Sequence, residues 1–177
     1  MSYGSNEKTE LKENNYFVAG INQNATVTAE FRSPKKDGTG DKILCIDLLG
    51  EKGQKFTITE WPGQDEPKIK NQLTRLRRWV KEVTGEDSFP TMFSSFEEMA
   101  NVFITIVNNK PVFLEFKLVY NDKGYLEMPK YDGCVRAMSN PSRLTLSSSE
   151  QEKTTKTKID PTADVELMGS ATDELDF

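Results

Sequence analysis

Residues 25–61 read ATVTAEFRSPKKDGTGDKILCIDLLGEKGQKFTITEW, and the fold turns on this stretch. In Ala25–Arg32 the side chains of Val27, Ala29 and Phe31 alternate with Thr26, Thr28, Glu30 and Arg32. Period-two alternation is the mark of a strand with one buried face. Ser33–Lys42 supplies the Pro, Gly and Asp of a hairpin connection. Ile43–Leu49 reads as a second, more apolar strand with Leu44, Ile46 and Leu48 aligned. Gly50–Lys55 is another turn, and Phe56–Trp61 a third strand. Three consecutive strands joined by short turns predict an antiparallel meander.

Outward from the meander, Pro62 and Gly63 end the sheet. Pro67–Gly85 carries Ile69, Leu73, Leu76, Val80 and Val83 at helical spacing, with Gly85 as the stop. A second helix starts at Ser95, where Ser95 and Glu98 have capping-box spacing, and runs to about Asn108 with Phe96, Met99, Phe103 and Ile106 inward. Strands follow over Val112–Tyr120 and Tyr125–Met128 around an Asn121–Gly124 turn, with further pieces at Tyr131–Met138 and Leu144–Leu146. Strands, helices and strands in this order predict an α+β protein, mainly β with helices. The architecture expected is an OB-like small antiparallel β-barrel with a helical insertion between strands 3 and 4. Residues 16–146 form this domain, residues 1–15 read as a flexible arm, and 147–177, rich in Ser and Thr, read as a disordered acidic tail.

Composition narrows the chemistry. Histidine is absent from all 177 residues, which removes Ser–His–Asp and Cys–His catalysis and imidazole metal ligation. Cys45 and Cys134 are too few for a zinc site and read as reduced thiols. No cofactor is expected, since a glycine-rich phosphate loop is also missing. No apolar run reaches the roughly 18 residues of a membrane span, so the expectation is a soluble, cytoplasmic protein. Charge is uneven: residues 160–177 hold six carboxylates and no Lys or Arg, while the remaining chain, with 23 basic against 22 acidic side chains, sums to +1. A pI near 5 therefore hides a mildly basic body.

An OB barrel binds its ligand across strands two and three and between the 1–2 and 4–5 loops. Cations there follow phosphates and flat rings stack on bases. The candidate DNA-binding residues are Arg32, Lys35, Lys36, Lys42, Lys55, Trp61, Lys117, Lys123, Tyr125, Lys130 and Tyr131. The plainer alternative is that the lysines solvate turns and the tyrosines cover barrel ends. A second basic feature is the helix bearing Lys68, Lys70, Arg75, Arg77, Arg78 and Lys81, whose Trp79 reads as core. A third is the C-terminal peptide Asp173, Glu174, Leu175, Asp176 and Phe177, in which a terminal ring and carboxylate suit a shallow pocket with a Lys or Arg.

The OB-like body, polar linker and acidic tip ending in Phe resemble the single-stranded DNA-binding proteins of bacteria and especially of bacteriophages. The stretches AGINQNATV (19–27), FTITEW (56–61) and GYLEMPKY (124–131) are similar to segments of phage-encoded members. The tip differs from the bacterial form, which has Ile-Pro before the final Phe. The resemblance implies a body that coats single strands during DNA replication, recombination and repair, and a tip (Asp173, Glu174, Asp176 and Phe177) that recruits replication or recombination partners and competes with DNA for the basic groove. Small barrels with exposed edges often self-associate, which leaves a homo-oligomer open, but no stretch of the sequence marks an interface. Two other readings stay open. One is a protein–protein adaptor with a β-barrel body. The other is a Mg²⁺-dependent nuclease in which Glu115 and an upstream acid such as Asp47 bind the metal and Lys117 assists the attacking water.

Overall fold

In the computed structural model, which describes residues 16–109, 111–129 and 133–155, the meander is present as β1 (Gly20–Arg32), β2 (Ile43–Gly50) and β3 (Lys55–Glu60). β1 begins earlier than its alternation, because its first residues pair with a different strand. Gly20 lies opposite Leu118 and Asn22 opposite Phe116 on β4 (Leu114–Tyr120), whereas Ala25–Arg32 pairs with β2. The register shifts between Asn22 and Ala25, where Asn24 takes φ 60°, a left-handed conformation that Asn tolerates. A bulge here adds twist and curls the sheet.

The strand order is β3-β2-β1-β4-β5, with β5 at Leu126–Glu127, and β6 (Val135–Ala137) also pairs with β4. The result is a curled antiparallel half-barrel with helices, a small α+β architecture. Its concave face holds the core. Leu48 sits opposite Val27 and Ile46 opposite Ala29, and these pack with Phe116 and with Leu76, Val80 and Phe103 of the helices. Among the described residues β3 pairs only with β2, and β5 and β6 only with β4, so the seam between β3 and the β5/β6 edge is unpaired.

Both long helices lie between β3 and β4 in the chain. In α1 (Glu66–Thr84) the Asp65 side chain accepts the Lys68 N–H, and Gly85 closes the helix at φ 74°. In α2 (Phe96–Asn108) Ser95 accepts the Glu98 N–H, but the Glu98 carboxylate turns to the N–H and hydroxyl of Ser94 instead of completing a box. Each such cap is worth about 1 kcal/mol. Asn108 ends α2 by bonding both the N–H and C=O of Ala29 (2.8 and 2.9 Å), beyond the last β1–β4 pair at Ala25. A side chain thus satisfies backbone groups that β4 no longer reaches.

The C-terminal boundary needs correction. The segment expected to start a disordered tail at residue 147 instead folds as α3 (Ser148–Glu152). Ser147 and Glu150 form a reciprocal capping box, and the Tyr120 N–H bonds the Lys153 carbonyl at 2.9 Å. Leu144 is buried, yet Leu144–Leu146 makes no strand. Cys45 and Cys134 are buried and form no disulfide with each other. Among the described residues no helix is long and apolar enough to cross a membrane.

Candidate nucleic-acid interface

The unpaired seam opens into a cleft of about 880 Å³. Phe56–Glu60 of β3 forms one wall, Leu126–Pro129 and Gly133–Arg136 form the other, and α1 closes the base. Phe56 and Ile58 pair with Leu48 and Ile46, so they point to the concave side and are only partly covered. Leu126, Met128 and Val135 face them in the same partly buried state, and Trp79 lies at the base, about nine-tenths buried. The floor is therefore apolar.

Cations rim it. Arg75, Arg78 and Lys81 come from one face of α1, since spacings of three residues repeat on a helix, and Arg136 comes from β6. Arg75 is tied to Glu60 by two 2.8 Å bonds, with Gln72 adding a third to the same carboxylate at 2.9 Å. That ion pair raises the pKa of Arg75 above its ordinary value. Glu82 is occupied with the Ala137 N–H at 3.0 Å. Lys81 and Arg136 form no ion pair among the described residues.

The residues expected to bind DNA are not gathered in this cleft. Arg32 and Lys55 do meet, on the outer face of β1–β3, where both contact the Asp47 carboxylate. Burial pushes that carboxyl up, but bonds from Thr57, Arg32 and Lys55 outweigh it and hold Asp47 below the ordinary carboxylate range. Lys35, Lys36 and Lys42 are exposed on the loop that leaves the Arg32 end of β1. Trp61 is 55% exposed just past β3, its carbonyl accepting the Gln72 amide at 2.8 Å. Lys123 and Tyr125 are exposed on the β4–β5 turn, which leaves the opposite, Gly20 end of β1. The two loops therefore leave opposite ends of the 13-residue strand β1.

Lys117 is a correction. It was expected to face outward from β4, but α3 and its approach cover that face, and Lys117 is buried with its ammonium 3.3 Å from Glu150. Lys130, Tyr131 and the tip residues Asp173, Glu174, Leu175, Asp176 and Phe177 lie outside the described residues. The pairing of Asp47 with Glu115 that the alternative nuclease reading requires is not formed. Glu115, fully buried on β4, accepts bonds from Gln23 (3.0 Å) and the Arg143 N–H (3.1 Å), while Asp47 is on β2, across β1. Burial pushes the Glu115 carboxyl up, yet its bonds from Gln23, Ser142 and Arg143 bring it below its ordinary value. No group of three or more Cys, Asp or Glu able to hold a metal occurs among the described residues.

The residues that do line the cleft were legible in part. Arg75, Arg78 and Lys81 share one face of the basic helix by spacing alone, whereas Phe56 and Arg136 carry no local signal. No family profile and no curated protein matches the sequence.

Proposed function

We propose that the chain is an OB-like, non-catalytic protein that binds single-stranded DNA with little sequence preference, with the cleft between β3 and the β5/β6 edge as its main site. The observation that carries this reading is the cleft's composition: an apolar floor containing Phe56 and Trp79 beneath a rim with Arg78, Lys81 and Arg136. Unpaired bases offer flat apolar faces and a regular anionic backbone, and they are held by rings or apolar side chains below and cations alongside. Duplex DNA hides those faces. In this role the protein protects single strands in DNA replication, recombination and repair, in the cytoplasm of a bacterial cell if it is phage-encoded. The acidic peptide ending at Phe177 recruits partner proteins and competes with DNA for cations, so removing residues 160–177 strengthens DNA binding at low salt.

A titration of a fluorescent oligonucleotide over a salt series tests the reading. Binding that weakens steeply with salt, by about 0.7 in log–log slope for each phosphate neutralised, supports it. Absence of binding at low salt leaves the adaptor reading in its place. Cleavage of the oligonucleotide on adding Mg²⁺ makes the protein a nuclease instead.

A further inference from the structure

The cleft leaves the cluster around Asp47 without a role. Asp47 lies on β2 between Thr28 of β1 and Thr57 of β3, on the convex side of the sheet. Its carboxylate takes the Arg32 guanidinium, the Lys55 ammonium at 3.2 Å and the Thr57 hydroxyl at 2.6 Å. The carboxylate side chain is 6% exposed, whereas Arg32 is 33% and Lys55 48% exposed. The acid is thus underneath and both cations face solvent over it. Glu30 touches Arg32 from the exposed side. With Glu30 counted, two cations face two carboxylates and the cluster is neutral as a whole; because Asp47 is submerged, the Arg32 and Lys55 heads are the groups a phosphodiester would meet on this face, in competition with Asp47 and Glu30.

Its position bears on the cleft. Thr57 bonds Asp47 on one side and lines the cleft on the other, so only the width of β3 separates the two. Lys35, Lys36 and Lys42 continue the cationic surface from the Arg32 end of β1. We propose that Arg32 and Lys55 form a phosphodiester subsite on the convex face beside the cleft, and that Asp47 holds both cations there until a backbone phosphate competes for them. The proposal rests on the reading of the cleft as a single-strand site, and it gives that site a built-in restraint on affinity. Asp47 keeps the two cations in place and sets how much of their charge a strand can use.

The full chain with Asp47→Asn tests it. The amide still accepts from Thr57 but no longer attracts Arg32 or Lys55. A fluorescent 20-nucleotide strand should bind about 5- to 10-fold more tightly at low salt, with a salt slope steeper by up to about 1.4, as for two added phosphate contacts on a single strand. Adding Arg32→Gln and Lys55→Gln to Asp47→Asn should return affinity to the starting level or below. Unchanged or weaker binding by an Asp47→Asn protein with a native circular-dichroism melt overturns the subsite. If that variant does not fold, Lys55→Glu at the half-exposed position decides: about tenfold weaker binding is expected, and unchanged binding overturns the proposal. When Lys81→Glu in the cleft weakens binding but these convex-face changes do not, the subsite alone fails. When the unaltered chain binds no strand, the cleft reading fails and the subsite with it.

Discussion

The Lys117 ammonium lies 3.3 Å from the Glu150 carboxylate, both side chains more than nine-tenths buried, and this pair pins α3 onto the convex face of β4. Glu150→Leu takes this carboxylate away from a buried ammonium, and breaking one side of a buried pair costs about 3 kcal/mol. Glu150→Leu should therefore lower Tm by roughly 10 °C in thermal unfolding. Lys117→Met combined with Glu150→Leu should recover most of that loss, short of the roughly 1 kcal/mol contributed by the Ser147–Glu150 cap. Equal Tm values for the single and double variants would show that the pair does not hold α3.

Acid should unfold the protein through two carboxylates. Asp47 and Glu115 are both held below their ordinary values in the folded chain. A carboxyl with a depressed folded pKa stabilises fully above its unfolded value, and the contribution is lost as pH falls through about 4 toward the folded value. The urea midpoint should accordingly be steady near pH 6 and fall between pH 4.5 and 3. Glu115→Gln should have a lower midpoint at pH 6 and a smaller fall on acidification. Parallel curves for the two proteins would contradict the assignment.

The local features were legible because local chemistry decides them. Alternation in Ala25–Arg32 places Val27 and Ala29 in the core, and Asp65, Ser95 and Gly85 mark helix ends by their own bonding or backbone freedom. Features that depend on distant pairing were not legible. The alternation of Leu114–Tyr120 predicts one wet face, but Glu115, Lys117 and Val119 are covered by a segment arriving some thirty residues later. That segment, SSSEQE, is polar enough to read as tail, since a cap and one buried ion pair hold it in place of apolar area. The cleft escaped for a similar reason. It exists because β3 and β6 do not pair, and each of its walls looks like an ordinary strand edge in the sequence.

Charge reversal at the cleft rim should weaken strand binding without loss of fold. Lys81→Glu and Arg136→Glu each remove a cation with no ion-pair partner among the described residues. Each should lower affinity for a 20-nucleotide strand about tenfold at low salt and flatten the salt slope by about 0.7. Matching losses from Lys123→Glu, on the β4–β5 turn and outside the cleft lining, would show the effect to be one of net charge only.

Trp61 offers an optical report. It is 55% exposed at the end of β3, whereas the other tryptophan, Trp79, is about nine-tenths buried. Base stacking quenches an exposed indole, so strand binding should quench intrinsic fluorescence, and Trp61→Phe should abolish most of that quenching. Trp61→Ala should lose about 1–3 kcal/mol of binding if a base stacks there, read as a shift of the titration midpoint. Quenching that persists in Trp61→Phe would assign the contact to Trp79.

The most direct measurement of the cleft as the single-strand site is photocrosslinking of the full chain to a strand bearing 5-iodouracil, with the crosslinked residues located by mass spectrometry. The account predicts crosslinks to Phe56, Ile58 and the Leu126–Pro129 segment, suppressed by excess unlabelled single strand and not by duplex. Crosslinks confined to α2 or α3, with none on β3 or across the seam, would contradict it.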